Sequence, residues 1–234
     1  SGIGAGWRGE APGFPPAPGW SPERDGLFFV DIPGSASSIL NIGCLALAET
    51  DPDFYPAEVM NFRLGGGGFA SELMQVLREG KGYTYGVGSS FRGSTLPGPF
   101  TIGSAVRANI TYEALDLIKG IVERHGPDFD EEDLQATRDF LLRTNARAFE
   151  TLGAKLDVLR NMSAYGFPAD YVLQREEIVR AMTIPESRRL ARDYLNTGNM
   201  VWLVVGDAAT QAPGLTALGL GEPIMLDREG KMIQ

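Results

Sequence analysis

Leu64-Gly-Gly-Gly-Gly-Phe-Ala-Ser71, followed by Leu77-Arg-Glu-Gly-Lys-Gly-Tyr-Thr-Tyr-Gly-Val87, is the stretch on which the reading of this chain turns. Between its two halves, Ala70, Leu73, Met74 and Leu77 recur at i, i+3, i+4 and i+7, which predicts an amphipathic helix ended by Gly80 and Gly82. Tyr83, Tyr85, Val87, Ser89 and Phe91 then alternate with smaller residues at the period of a strand. Upstream, Asp51-Pro52 opens a helical pattern through Val59, Met60 and Leu64, with the four glycines as its expected stop. A helix, a glycine-rich break, a second helix and a strand are thus packed into about forty residues.

Working outward, Leu27–Ile32 and Ser37–Leu47 read as strands, and Pro97-Gly98 turns the chain from the Tyr83–Phe91 strand into a partner at Phe100–Val106. Helices follow. Ala114, Leu115, Ile118, Ile121 and Val122 mark one, the acidic run Asp130–Asp133 starts another, and Leu152, Leu156 and Leu159 carry a third. Thr183-Ile-Pro-Glu186 is a capping box that starts the last, and Met200–Val205 returns as a buried strand closed by Gly206-Asp207. Early strands, late helices and one returning strand predict an α+β two-layer sandwich, a mostly antiparallel sheet with helices packed on one face. Residues 1–24, rich in Gly, Pro and Trp, read as a linker, leaving residues 25–234 as one domain. The chain starts with Ser1 and is expected to be a piece of a longer polypeptide, any targeting signal lying upstream.

Composition narrows the chemistry. With 234 residues, 43% of them hydrophobic, there is material for a core. Twenty-one Lys and Arg against 30 Asp and Glu leave a net charge of −9, the wrong sign for a nucleic-acid partner. No apolar run approaches the roughly 18–20 residues that span a bilayer, so no membrane-spanning segment is expected. Cys44 is a lone cysteine and His125 a lone histidine, and neither HExxH nor HxxEH occurs, which excludes a self-sufficient catalytic zinc site built from His and Cys ligands. His125 before Gly126-Pro127 sits at a predicted helix end, where the dipole accounts for it without catalysis. Gly80-Lys81-Gly82 lacks the spacing of a P-loop, and Gly65–Gly68 follows a helix instead of a strand, against a dinucleotide fingerprint.

What remains is Arg78 and Tyr85 seven residues apart. Taken alone, Arg78 reads as a surface cation at a helix end and Tyr85 as a half-buried strand aromatic. The segment nevertheless resembles the second, metal-free half of the pitrilysin/insulinase family of zinc peptidases, of the processing-peptidase type. The likeness runs through Trp7–Pro18, Val30–Gly34, Leu64–Phe69, Leu77–Val87, Phe149–Thr151, Val204–Asp207, Leu218–Gly221 and Asp227–Gly230. It implies the processing-peptidase-like fold, no metal or other cofactor in this chain, zinc in a partner half bearing HxxEH, and a peptide or unfolded protein as substrate. It also implies that Arg78 and Tyr85 are the catalytic pair reaching across to that half. A phenol can donate to a developing oxyanion while an arginine fork holds substrate carbonyls.

On the same resemblance Gly65, Gly66, Gly67, Gly68 and Phe69 would form a low-bulk surface for a substrate backbone; a plain helix stop explains the glycines equally well. Glu72 departs from the family's usual Arg. The resemblance leaves the compartment open between bacterial periplasm and cytoplasm, and it leaves open a second role, as a catalytically inactive structural or assembly module of the same fold.

Overall fold

The computed structural model describes residues 25–145 and 149–233. The linker expected at residues 1–24 lies outside them.

Six strands, β1 (Gly26–Asp31), β2 (Ser37–Leu45), β3 (Thr84–Phe91), β4 (Pro99–Arg107), β5 (Val201–Gly206) and β6 (Ile224–Leu226), form one sheet in the order β3-β4-β2-β5-β1-β6. The β3/β4, β4/β2 and β2/β5 pairs are antiparallel; β5/β1 and β1/β6 are parallel. The expected α+β architecture with a mostly antiparallel sheet is therefore observed.

Alternation sorts the two sheet faces. Ser38, Leu40 and Ile42 of β2, Phe100, Ile102 and Val106 of β4, and Trp202 and Val204 of β5 are buried, whereas Ile39, Asn41, Gly103, Ala105 and Arg107 are exposed. The buried face meets α1 (Phe54–Asn61), α2 (Thr111–Asp128) and α6 (Ile184–Tyr194). All five apolar positions expected on α2, Ala114 through Val122, are in the core. The helix expected after Asp130–Asp133 is α3 (Glu131–Asn145), and α5 (Tyr171–Ala181) packs beyond it.

Local chemistry sets the element ends. The Thr183 side chain accepts the Glu186 amide (3.3 Å) at the start of α6, with Pro in the first turn, as the capping box predicts. Arg189 on α6 then makes a bidentate pair with Asp53 (2.8 and 2.9 Å) ahead of α1, and Tyr194 donates to the same carboxylate (2.8 Å). That pairing holds the Asp53 carboxyl below its usual range, with the Arg189 hydrogen bonds as the main cause.

Two sequence expectations, the glycine stop and the last helix, are corrected, and two helices are refined. Gly65–Gly68 does not stop the helix: α1 continues as a π-helical turn, Phe62–Gly66, and then a 3₁₀ turn, Gly68–Ala70. The next helix is likewise wide-turned, with Met74–Gly80 π-helical. Leu152, Leu156 and Leu159 lie on α4 (Leu152–Tyr165), but α4 has no buried residue, and Leu152 is 86% exposed. The helix that starts at the capping box is not the last, since α7 (Ala208–Leu215) follows β5 and leads to β6.

Candidate functional site

Strand β3 lies at the edge of the sheet, and its start holds the candidate residue Tyr85. Its pairing with β4 is regular from Val87↔Ser104 onward and shifts between Thr84 and Val87. The bulge is held by side chains: the Thr84 hydroxyl accepts from the Gly86 amide (3.0 Å) and lies 2.8 Å from the Ala105 carbonyl, and the Ser104 hydroxyl reaches Thr84 Oγ1 (3.1 Å). Two residues of β3 are thus accommodated without breaking the buried row of Val87, Ser89 and Phe91. Tyr85, caught in the bulge, does not share their face. It is 96% exposed, so the half-buried reading of this tyrosine is overturned.

Arg78 comes from the π-helical turn before β3. Its guanidinium carbon lies 4.6 Å from the centroid of the Phe69 ring, and its Nε is 3.5 Å from Glu79 Oε1. Arg78 and Tyr85 line one cleft of about 580 Å³ together with Ser37, Glu79, Tyr83 and Arg107. The sequence pair is therefore brought together in space. Tyr83, the neighbouring aromatic, is partly buried against the core.

The glycines are placed differently. None of Gly65–Gly68 lines this cleft, and Phe69 approaches it through Arg78. Gly65 is buried where the helical turn crosses β3: a Cβ there would lie 2.3 Å from Ser89 Oγ and 2.6 Å from the Ser89 amide nitrogen. The crossing is sealed by Asn61 Nδ2, which donates to the Ser89 carbonyl (3.1 Å). Gly66, Gly68 and Phe69 are exposed. Arg63 pins this loop, with Nε 2.8 Å from Asp133 and Nη1 donating to the Ala70 carbonyl. Glu72 makes no ion pair among the described residues, and burial raises its carboxyl pKa.

The other titratable groups singled out in the sequence are structural. His125 is buried, and its Nε2 donates to the Met60 carbonyl (3.3 Å). Burial pushes its pKa down to about 4, so a neutral, packed imidazole replaces the helix-end cation expected from the sequence. Burial, with a smaller contribution from Asp25, raises the Cys44 thiol to about 11. Among the described residues no three His, Cys, Asp or Glu side chains converge as a metal site. With the one imidazole committed to Met60, the described residues offer no histidine to a zinc ion.

A family model described as "Peptidase M16 inactive domain" matches residues 5–141, more than half of the chain. This chain belongs to the peptidase M16 inactive-domain family. The pitrilysin-type resemblance is borne out. No curated protein matches the sequence. Among solved structures, the peptidase M16 inactive domain from Pseudomonas fluorescens is similar at 25% identity, with a TM-score of 0.77, covering 87% of this chain and 48% of that one. This M16 domain thus spans about half the length of that relative. A protein from Bordetella pertussis Tohama I, described as a zinc protease candidate, shares the fold at 19% identity and a TM-score of 0.60, covering 72% and 93%. A chain of complex III2 from Candida albicans shares it at 10% identity and a TM-score of 0.67, covering 83% and 49%.

Sequence reasoning missed Ser37 and Arg107. They are Cα partners across β2 and β4, so they join the M16 cleft only once the sheet is paired. The one local signal was the β4 alternation, which the reading ended at Val106, one residue short.

Proposed function

We propose that this M16 inactive domain completes the peptide-hydrolysing site of a zinc-bearing half that carries HxxEH, in the same polypeptide or in a second subunit. The observation that carries the reading is the cleft itself. An almost fully exposed phenol and an arginine meet in it, one held by a bulge and the other stacked on Phe69, with little packing reason for Tyr85 to stand in solvent. Exposed donors fixed at one end of an open sheet face suit a second surface closing over them.

In this arrangement the bond-breaking groups belong to the other half. Tyr85 Oη donates to the oxygen that becomes negative as the peptide carbonyl is attacked, and Arg78 offers a planar fork of N–H donors to neighbouring carbonyls. Phe69, with the exposed Gly66 and Gly68, borders the approach of an extended peptide or unfolded protein. The open sheet face, bearing Ile39, Gly103 and Ala105, is the surface the other half would cover. Among the described residues no helix is long and apolar enough to cross a membrane, and the Pseudomonas and Bordetella relatives support a bacterial setting, periplasmic or cytoplasmic.

A second reading, a catalytically inactive assembly module, is favoured by the fold shared with the complex III2 chain. The test is hydrolysis of an unfolded protein by this chain with zinc, alone and then with its HxxEH partner. Activity only in the mixture, lost on Tyr85→Phe, supports the peptidase reading. A stable complex that stays silent supports the assembly module.

A further inference from the structure

Arg107 is the last residue of β4 and is exposed on the rim of the Arg78–Tyr85 cleft. Among the described residues its guanidinium has no ion pair and no hydrogen bond, whereas Arg78 is engaged by both Phe69 and Glu79. The named side chains of the cleft carry two positive charges, Arg78 and Arg107, and one negative, Glu79. A locally positive cleft with an unspent arginine stands out on a chain of net charge −9.

The register gives the free charge a position. Thr84 pairs with Val106 in the antiparallel β3/β4 ladder, so Arg107 lies beyond that pair along the strand, on the side of Thr84 away from Tyr85. At about 3.4 Å of rise per residue, Arg107 is displaced from Tyr85 by roughly two strand residues. That spacing also separates same-side side chains of an extended peptide.

We infer that Arg107 selects substrate: it binds a carboxylate on the peptide within about two residues of the carbonyl that Tyr85 contacts. This rests on the cleft being a peptide site, as proposed above. The carboxylate comes either from a Glu or Asp side chain or from the free C-terminus of a short peptide, and a guanidinium recognises both through the same paired N–H···O geometry.

The test is fluorescence anisotropy of this chain with labelled ten-residue peptides that differ only in a central Glu or Gln, each with a free or amidated C-terminus. The Glu peptide is expected to bind about two- to fivefold more tightly than the Gln peptide, the range set by an exposed ion pair. The preference should disappear in Arg107→Gln and in high salt. Arg78→Gln should weaken both peptides alike. A preference that follows the free C-terminus instead, and also vanishes in Arg107→Gln, assigns the carboxylate to the chain end. Equal binding of the peptides, or a preference that survives Arg107→Gln, overturns the role of Arg107 and leaves the cleft as a peptide site. No binding of any peptide overturns the cleft reading and the inference with it.

Discussion

The Arg78 guanidinium sits over the ring of Phe69, 4.6 Å from its centroid, so the last residue of the Gly65–Phe69 run is coupled to the cleft by a side chain and not by the backbone. A cation–π contact at an exposed site is worth roughly 0.5–1 kcal/mol. Phe69→Ala is therefore expected to lower kcat/KM of the assembled peptidase by about two- to fivefold, with Phe69→Tyr close to the parent. Equal activity in all three would show that the stacking does not orient Arg78.

Tyr85 offers a cleaner separation of stability from turnover. Its side chain is 96% exposed and makes no hydrogen bond among the described residues, so Tyr85→Phe removes an oxygen that holds nothing together. The melting temperature should stay within a degree or so, while turnover by the assembled enzyme falls by about 10²–10³, the usual loss for one oxyanion donor. A loss of stability together with activity would count against the donor role.

The glycine positions predict a graded series in thermal melts. Gly65→Ala drives a Cβ to 2.3 Å from Ser89 Oγ and 2.6 Å from the Ser89 nitrogen, which requires the helical turn and β3 to part. Overpacking of this kind costs about 1–3 kcal/mol. Gly68→Ala meets no atom within 4 Å but must hold φ at +57°, at roughly 1–2 kcal/mol. Gly86→Ala has neither problem and should be near neutral.

A buried group and a half-buried one pull stability in opposite directions with pH. His125 titrates at about 4 in the fold against 6.5 ordinarily. The unfolded chain alone takes up the proton between those values, so this contribution is complete above pH 6.5 and is lost on acidification, on the order of 3 kcal/mol in all. Glu58 is pushed by burial from 4.5 to about 7, with Arg175 opposing and Glu49 reinforcing the shift. The fold holds its proton longer, so its contribution is complete below pH 4.5 and fades as the pH rises through 7. The two slopes offset each other between pH 4.5 and 6.5. Urea midpoints should accordingly be flat there for the parent and fall with acid for Glu58→Gln, which should also be the more stable protein at pH 8.

How much of this was legible depended on whether a residue's role is set by its neighbours in sequence. Five apolar positions on α2 and the Thr183–Glu186 cap read directly, because helical period and capping are local. Arg78 and Tyr85 were candidates through their spacing within a recognisable context, and the structure sets them in one cleft. The bulge at Thr84–Val87 was not, since it depends on the Ser104 hydroxyl and the Ala105 carbonyl of the facing strand, and it alone decides that Tyr85 points out. Gly65 was read as a stop or a substrate surface, when its closest constraint is Ser89, 24 residues further on. Arg107 and Ser37 meet only across the sheet.

Helix α4 has a consequence for how the domain holds together. It is fourteen residues long, its start is tied by Thr151 accepting the Ala154 amide (3.1 Å), and none of its side chains enters the core. A helix of that length is marginal in water by itself. Its amides should exchange with solvent through local opening, far faster than those of α2, without any loss of the sheet. In the isolated domain Leu152, Leu156 and Leu159 make an oily stripe on the least cooperative part of the molecule, so α4 sets its tendency to self-associate, while the sheet and its covering helices set its melting point.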